Sequence, residues 1–230
     1  MMFKRILNYC RWQMHRLVQA LDRDGRKYHE ESVKFQQLMS ANNEMVFEQM
    51  YSDPQLLKHY LVADRLDFYR QVAKKVASHF HGDKVSAACV DVGCGTGHLL
   101  AEMRKAGFAG RLVGLDSALT AADQVRSHGL DLEFFPGYLS SHPWQNEFDL
   151  ALCTEVLEHC EHPEDIVRGM IRVVKPGGMI AITVPDGRKD TWEGHIHFWS
   201  PESFKLFIES FQKNAVFDYF DSTNFCVIYC

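Results

Sequence analysis

The 230-residue chain has no uninterrupted apolar run long enough to cross a bilayer, no C-x-x-C pair, no excess of positive charge, and no internal repeat or low-complexity segment. Each absence excludes something. A membrane-spanning helix needs about 20 consecutive apolar residues, so no transmembrane segment is expected. The apolar residues near the N-terminus are interrupted by Lys4, Arg5, Arg11 and Arg16, so no signal-peptide core is expected there. Seven cysteines, at positions 10, 89, 94, 153, 160, 226 and 230, form an odd set that closes no disulfide framework. Several lie inside apolar runs, where cysteine behaves as a small hydrophobe. A reducing, cytoplasmic compartment is the expectation. A formal net charge of −5 supplies no global field for nucleic acid or an anionic membrane.

What is present is ordinary globular composition, 46% hydrophobic and 24% charged, at a length that suits one α/β domain with a helical extension. We expect the extension, a helical cap, over residues 1–84 and the domain over 85–230. Phe3, Ile6, Leu7, Cys10, Met14, Leu17, Val18 and Leu21 recur at i, i+3, i+4 spacing opposite a basic face. Residues 1–22 therefore read as an amphipathic helix. Such a helix docks on its own domain, pairs two copies as a homodimer, or lies on a membrane surface. Residues 54–80 keep a period near 3.6 and read as one helix stopped by Gly82. Tyr51, Tyr60, Phe68 and Tyr69 are candidates to line a substrate pocket.

Strand-like runs at 87–92, 111–116, 132–136, 148–153 and 179–185 alternate with helical patterns at 97–106, 118–128 and 163–174. That alternation predicts a doubly wound, mostly parallel sheet. The tail adds a helix, 201–211, and two strand-like runs, 216–221 and 225–230, joined through Ser222-Thr223-Asn224. A seven-stranded sheet with an antiparallel last strand follows.

The chain is organised around Asp91-Val92-Gly93-Cys94-Gly95-Thr96-Gly97. A buried strand that turns through glycines into a helix brings bare backbone N–H groups up to a ligand. The G-x-G-x-G spacing departs from the dinucleotide fingerprint G-x-G-x-x-G, and the preceding Asp91 would repel a pyrophosphate. A nicotinamide oxidoreductase is disfavoured on both counts. A second acid, Asp116, ends the run LVGLD, at the spacing where doubly wound sheets bind ribose hydroxyls.

DVGCGTG and LVGLD together resemble the first two motifs of the class I S-adenosylmethionine-dependent methyltransferases, a Rossmann-like family of transferases. The resemblance continues in the family's order through FDLALCTEVLEH, 148–159, and VVKPGGMIAITVP, 173–185. It implies S-adenosyl-L-methionine as cofactor. Backbone of Gly93, Cys94, Gly95 and Gly97 would meet its amino-acid head and ribose, with Asp91 orienting the loop or the ammonium. Asp116 would take the ribose hydroxyls, with Ser117 and Ala118 beside the adenine. The acid that often follows the third strand in the family is absent from Pro136-Gly137-Tyr138-Leu139. Backbone of Tyr138 and Leu139 would hold the adenine instead. Thr154 and Glu155, after the fourth strand, complete the implied cofactor set.

A sulfonium already activates the methyl group, so the protein must align the attack and take a proton from an attacking hydroxyl. His195 and His197, on the loop Glu193-Gly194-His195-Ile196-His197-Phe198-Trp199, are the candidate bases. In Thr154-Glu155-Val156-Leu157-Glu158-His159, a helical turn would put Glu155, Glu158 and His159 on one face. With His197 these would form a site for a divalent metal, as in the small-RNA 2′-O-methyltransferases and ubiquinone-pathway O-methyltransferases that the string resembles. The expected activity is methyl transfer to oxygen on a small molecule or glycan. The alternatives are a metal-assisted RNA 2′-O-methyltransferase, disfavoured by the acidic balance, and a non-catalytic cofactor-binding partner module.

Overall fold

The computed structural model describes residues 44–192 and 194–230. The amphipathic helix expected over 1–22, and with it the proposed dimer contact, lies outside the described residues. Helices α1 (Glu44–Ser52), α2 (Pro54–Leu57) and α3 (Ala63–His79) precede the sheet. The single helix expected over 54–80 is broken. A 3₁₀ turn, Lys58–Tyr60, follows α2, and Val62 is extended before α3 begins. Neither α2 nor the 3₁₀ turn has a fully buried residue, and their Leu57 and Tyr60 pack against Tyr51, Ala118 and Ala121 instead of continuing the face of α3. α3 starts where Tyr69, Val72, Ala73 and Val76 can be buried.

Strands β1 (Cys89–Val92), β2 (Leu112–Asp116), β3 (Glu133–Pro136), β4 (Phe148–Thr154) and β5 (Val174–Pro185) are parallel. They alternate with α4 (His98–Lys105), α5 (Ala121–Ser127) and α6 (Pro163–Val173). After α7 (Pro201–Glu209), β6 (Ala215–Phe220) and β7 (Thr223–Tyr229) form a hairpin, and β7 pairs antiparallel with β5. The order is β3-β2-β1-β4-β5-β7-β6, the seven-stranded sheet expected. The hairpin turns on Asp221 and Ser222, both at positive φ. This two-residue turn suits the strand twist and lies one residue earlier than the sequence suggests.

Helices cover both faces. Val167, Met170 and Val173 of α6 and Phe204 and Ile208 of α7 pack on one face of the sheet with Val90, Val113 and Ile180. Tyr69, Val72 and Val76 of α3 and Leu99, Leu100 and Met103 of α4 pack on the other with Cys89, Leu112 and Phe225. Strand order reverses on either side of β1, and in open α/β sheets the crevice beyond the carboxyl ends at that point is the ligand site. β1 and β2 feed it directly.

Gly114, midway along β2, lets the turn close down on the sheet. A Cβ there would lie 2.7 Å from the Cys94 sulfur. Gly114→Ala should therefore cost about 1–3 kcal/mol through overpacking. Adding Cys94→Ala in the same chain should restore most of the loss, as read by urea denaturation of both variants.

Candidate active site

The β1–α4 turn is built from left-handed glycines: φ is 74° at Gly93, 47° at Gly95 and 73° at Gly97. The amides of Gly93 and Cys94 donate to the Leu115 carbonyl at 2.8 and 3.0 Å, tying the turn to β2. Asp116 completes the tie. Its carboxylate accepts from the Gly95 amide at 2.8 Å and from the Ala118 amide at 2.9 Å. Burial raises the Asp116 pKa against the lowering effect of those two donors. Gly137, just beyond β3, donates to the Asp116 carbonyl at 2.8 Å. The loops after β1, β2 and β3 thus converge on one residue.

Asp91 lies beneath this turn, 1% exposed, and its Oδ1 has no hydrogen-bond partner. Burial, with a smaller push from Asp116, raises its pKa to about 7. A buried acceptor without a donor is costly, and a cationic ligand group at the turn would relieve it. A glycine turn without side chains, a buried carboxylate at ribose spacing and this orphaned oxygen fit an adenosyl sulfonium compound with an amino-acid head. Ser117 is half-buried beside Asp116 and Ala118 is buried; Thr154 is buried at the end of β4. Tyr138 is mostly exposed, whereas Leu139 is buried with its carbonyl accepting from Arg172 at 2.9 Å.

α1 closes over the same cleft, a contact sequence periodicity does not reveal. The Glu48 carboxylate accepts from the amides of Leu119 and Thr120, and the Thr120 hydroxyl donates to the Glu48 carbonyl at 3.2 Å. The Tyr51 hydroxyl stands 2.8 Å from where a Cβ on Gly95 would be, and its ring is 5.5 Å from that of Tyr60. Tyr69 stacks on His98 at 6.0 Å. Of the four aromatics expected around a substrate pocket, Phe68 lines the open cleft of about 780 Å³ beside β5 and the β6–β7 turn. Tyr51 is set against the glycine turn instead. Arg65, Glu155, Asp186, Lys189 and Asp190 also line that cleft.

The helical face expected of 154–159 does not form. Glu155 is left-handed, with φ 54°, and Leu157–His159 is a single 3₁₀ turn. Glu155 is drawn to Thr183, whose hydroxyl donates to it at 3.0 Å, and lies 3.9 Å from Arg65. Glu158 is fully buried and neither carboxylate oxygen has a hydrogen-bond partner. Burial, then Glu155, raises its pKa far above the ordinary value. His159, with Nδ1 unpartnered, is pushed down to about 3 by burial and then by His195, so it is neutral.

The two loop histidines part ways. His195 faces this pocket: its ring lies 4.5 Å from that of His159, and its Nε2 lies 4.0 Å from Glu158 Oε1. His197 turns away, its Nε2 bonded to the Cys160 carbonyl at 2.9 Å and its ring stacked on Trp199. The amides of Ile196 and His197 both donate to the Glu158 carbonyl, so the loop is fastened to the 3₁₀ turn. Donor atoms of Glu158, His159 and His195 lie within 4.8 Å of one another. The neutral His159 ring, the His195 ring and the Glu158 carboxyl, neither of whose oxygens has a hydrogen bond, are donor types that fit a divalent cation. It differs from the expected set by exchanging Glu155 and His197 for His195. Asp190, bonded to His195 Nδ1, had no sequence signal beyond its place in a polar loop.

Residues 62–229 match a family model described as a methyltransferase domain. The mitochondrial ubiquinone biosynthesis O-methyltransferase of Schizosaccharomyces pombe is 31% identical over 134 residues, 55% of this chain and 46% of that protein. The ubiquinone biosynthesis O-methyltransferase of Hydrogenovibrio crunogenus is 35% identical over 97 residues, 40% of this chain and 39% of that protein. The chain thus spans less than half the length of these curated relatives. Among solved structures, the plantazolicin methyltransferase BpumL in complex with SAH aligns with a TM-score of 0.61 at 14% identity, over 85% of this chain and 97% of that one. A Thermotoga maritima protein described as a possible histamine N-methyltransferase aligns at 0.59 and 15% identity, over 81% and 98%. At those identities the likeness is one of fold.

The Asp91 carboxyl gives a pH prediction. Unfolded, it releases its proton near 3.8; folded, it holds the proton to about 7. Across that window the folded state binds more protons, so this group makes stability fall as pH rises, and its effect is constant above the window. Asp91→Asn should remove that part of the slope and make the protein the more stable of the two at pH 8, by an amount on the order of a few kcal/mol. Urea denaturation of both proteins between pH 5 and 8, taken as roughly the window set by the two pKa values, tests it.

Proposed function

The chain belongs to the class I methyltransferase-domain family, and on that premise we propose that it transfers a methyl group from S-adenosylmethionine to an oxygen of a small molecule or glycan. The observation that carries this reading is the bare glycine turn held between two buried carboxylates, Asp91 with an orphaned oxygen and Asp116. Gly93, Cys94, Gly95 and Gly97 offer backbone to the amino-acid head and ribose, Asp91 receives the ammonium, and Asp116 the ribose hydroxyls. Ser117, Ala118, Tyr138, Leu139, Thr154 and Glu155 surround the rest of the cofactor. The sulfonium supplies the activated methyl group. This chain's part is to align the acceptor and take up its proton at His195 Nε2. His197 supports that ring by fastening the loop to Cys160.

The acceptor enters by the cleft lined by Phe68, Asp186 and Lys189. Carboxylates outnumber cations there: Asp64, Asp67, Glu155, Asp186, Asp190 and Asp221 against Arg65 and Lys189. A neutral, hydroxyl-rich acceptor suits that lining, and a polyphosphate backbone does not, which argues against RNA. Oxygen as the acceptor atom draws support from the names of the curated relatives. No described helix is long and apolar enough to cross a membrane. The six described cysteines, all unpaired, suit the reducing cytoplasm.

A second reading of the histidine pocket has its own observation, the unpartnered oxygens of Glu158. Glu158, His159 and His195 would hold a divalent cation, which would lower the pKa of an acceptor hydroxyl.

Calorimetry with S-adenosylmethionine and its demethylated product tests the cofactor site. Both should bind, and Asp116→Ala should weaken both by about tenfold or more, since a bond to a charged group contributes roughly 1.5–3 kcal/mol. Absence of binding by the unaltered chain overturns the proposal. Incubation with a panel of catechols, phenols and glycans, read by mass spectrometry, should give a product 14 mass units heavier, as any methylation does by about that amount. Binding with no product across the panel favours a non-catalytic module. Full turnover in EDTA retires the cation.

A further inference from the structure

We propose that Asp190 is a positioning residue that fixes the tautomer of His195, so that the ring presents an unprotonated Nε2 to the buried Glu158–His159 pocket. Its consequence for catalysis rests on the reading of His195 given above; the tautomer itself does not.

The loop after β5 is built to place this carboxylate. Asp186 accepts from the Arg188 amide at 3.1 Å, from its guanidinium Nη2 at 2.8 Å, and from the Tyr219 hydroxyl at 2.9 Å. The amides of Lys189 and Asp190 donate to the Asp186 carbonyl at 2.8 and 2.9 Å. Asp190 therefore issues from a turn anchored on β6. At the far end of the loop, the Gly187 amide donates to the Trp199 carbonyl at 2.8 Å. A Cβ on Gly187 would run into the Phe198 backbone, so the two ends of the loop meet face to face.

Within the loop the two oxygens of Asp190 have separate partners. Oδ1 accepts from the Trp192 amide at 2.9 Å, and Oδ2 bonds His195 Nδ1. Both side chains are nearly buried, 8% and 12% exposed. A carboxylate oxygen accepts, so in this bond Nδ1 carries the hydrogen, and the uncharged form of a ring held this way has its lone pair on Nε2. That nitrogen is the one facing Glu158. Without Asp190, nothing among the described contacts of His195 would select this tautomer over the other. A lone pair on Nε2 is what taking a proton requires, and equally what binding a cation requires.

The substitution that discriminates is Asp190→Asn. Trp192 still needs an acceptor, so the amide oxygen stays on it and the NH₂ faces His195. Nδ1 must then accept, and the hydrogen moves to Nε2. Long-range ¹H–¹⁵N correlation of the histidine-labelled full chain, with His195 assigned by its loss in His195→Gln, reads the tautomer directly. The expected result is the Nδ1–H form in the unaltered protein and the Nε2–H form in Asp190→Asn, with S-adenosylmethionine affinity unchanged within about twofold, well under the tenfold that 1.4 kcal/mol would give. On an acceptor returned by the screen, kcat should fall about 10²–10⁴-fold, the usual share of a positioned acid or base. Asp190→Glu should recover part of it with the Nδ1–H form. An Nε2–H form in the unaltered protein overturns the proposal even if the variant does not fold, and so does a variant that keeps Nδ1–H. An unchanged kcat with a switched tautomer leaves the lock standing and removes His195 from the mechanism.

Discussion

The structure depends first on one carboxylate. Asp116 sits where β2 ends, and its two oxygens hold the amides of Gly95 and Ala118. Those amides belong to the loop after β1 and the loop after β2, which strand pairing and the Leu115 carbonyl bring side by side and which Asp116 then ties together. A parallel sheet supplies adjacency of strand ends, but not the shape of the space beyond them. The bridge joins the two exits through one carboxylate. Burial raises the proton affinity of this acid, and the Ala118 and Gly95 amides oppose that rise.

Much of this is readable in the residues themselves because the forces are local. A glycine at every second position after an apolar strand forces a tight turn free of side chains at those positions, and three positive φ values follow. An acid ending the next strand lands beside that turn because β1 and β2 pair in register, Val92 opposite Leu115. The histidine pocket is different. Spacing puts Glu155, Glu158 and His159 on one face only if residues 154–159 form a regular helix, and the chain leaves β4 through a left-handed Glu155 instead. Thr183, on the neighbouring strand, captures Glu155, a contact made across 28 residues that no window of sequence contains. Likewise His195 and His197 look equivalent in the sequence. They are separated by a carbonyl of Cys160 and a carboxylate of Asp190, both brought there by tertiary packing.

The helical segment before the sheet shows the same limit from the other side. Period alone joins 54–80 into one helix, but a period continues only where a face has something to cover. Leu57 and Tyr60 are drawn to the small cluster of Tyr51, Ala118 and Ala121 rather than to the sheet, so the chain breaks and α3 begins afresh where the sheet can receive Tyr69 and Val72. The kink turns α1 back across the glycine turn. Glu48 then meets the amides of Leu119 and Thr120, and Tyr51 covers Gly95. The glycine turn is thus roofed by α1, within the segment read as a helical cap, though periodicity does not say which of its residues make the contact.

The distribution of buried charge explains why these features occur together. Asp91, Asp116, Glu155 and Glu158 all lie in or beside the crevice, and Arg65, itself half-buried against Phe68 and Tyr69, is the cation nearest to Glu155. Three buried acids and the half-buried Glu155, with so little compensation, are unfavourable for folding, and a protein selected for stability alone would have replaced some with apolar groups. Asp116 is satisfied by amides and Glu155 by Thr183 and Arg65. Asp91 and Glu158 are the two left with orphaned oxygens, one under the glycine turn and one in the histidine pocket, on either side of the β4 exit. Unsatisfied buried acceptors at two places are positions where a bound cationic group gains more than it would on an ordinary surface. These two orphaned carboxyls are therefore the places beside the crevice where a positively charged occupant would relieve the greatest cost.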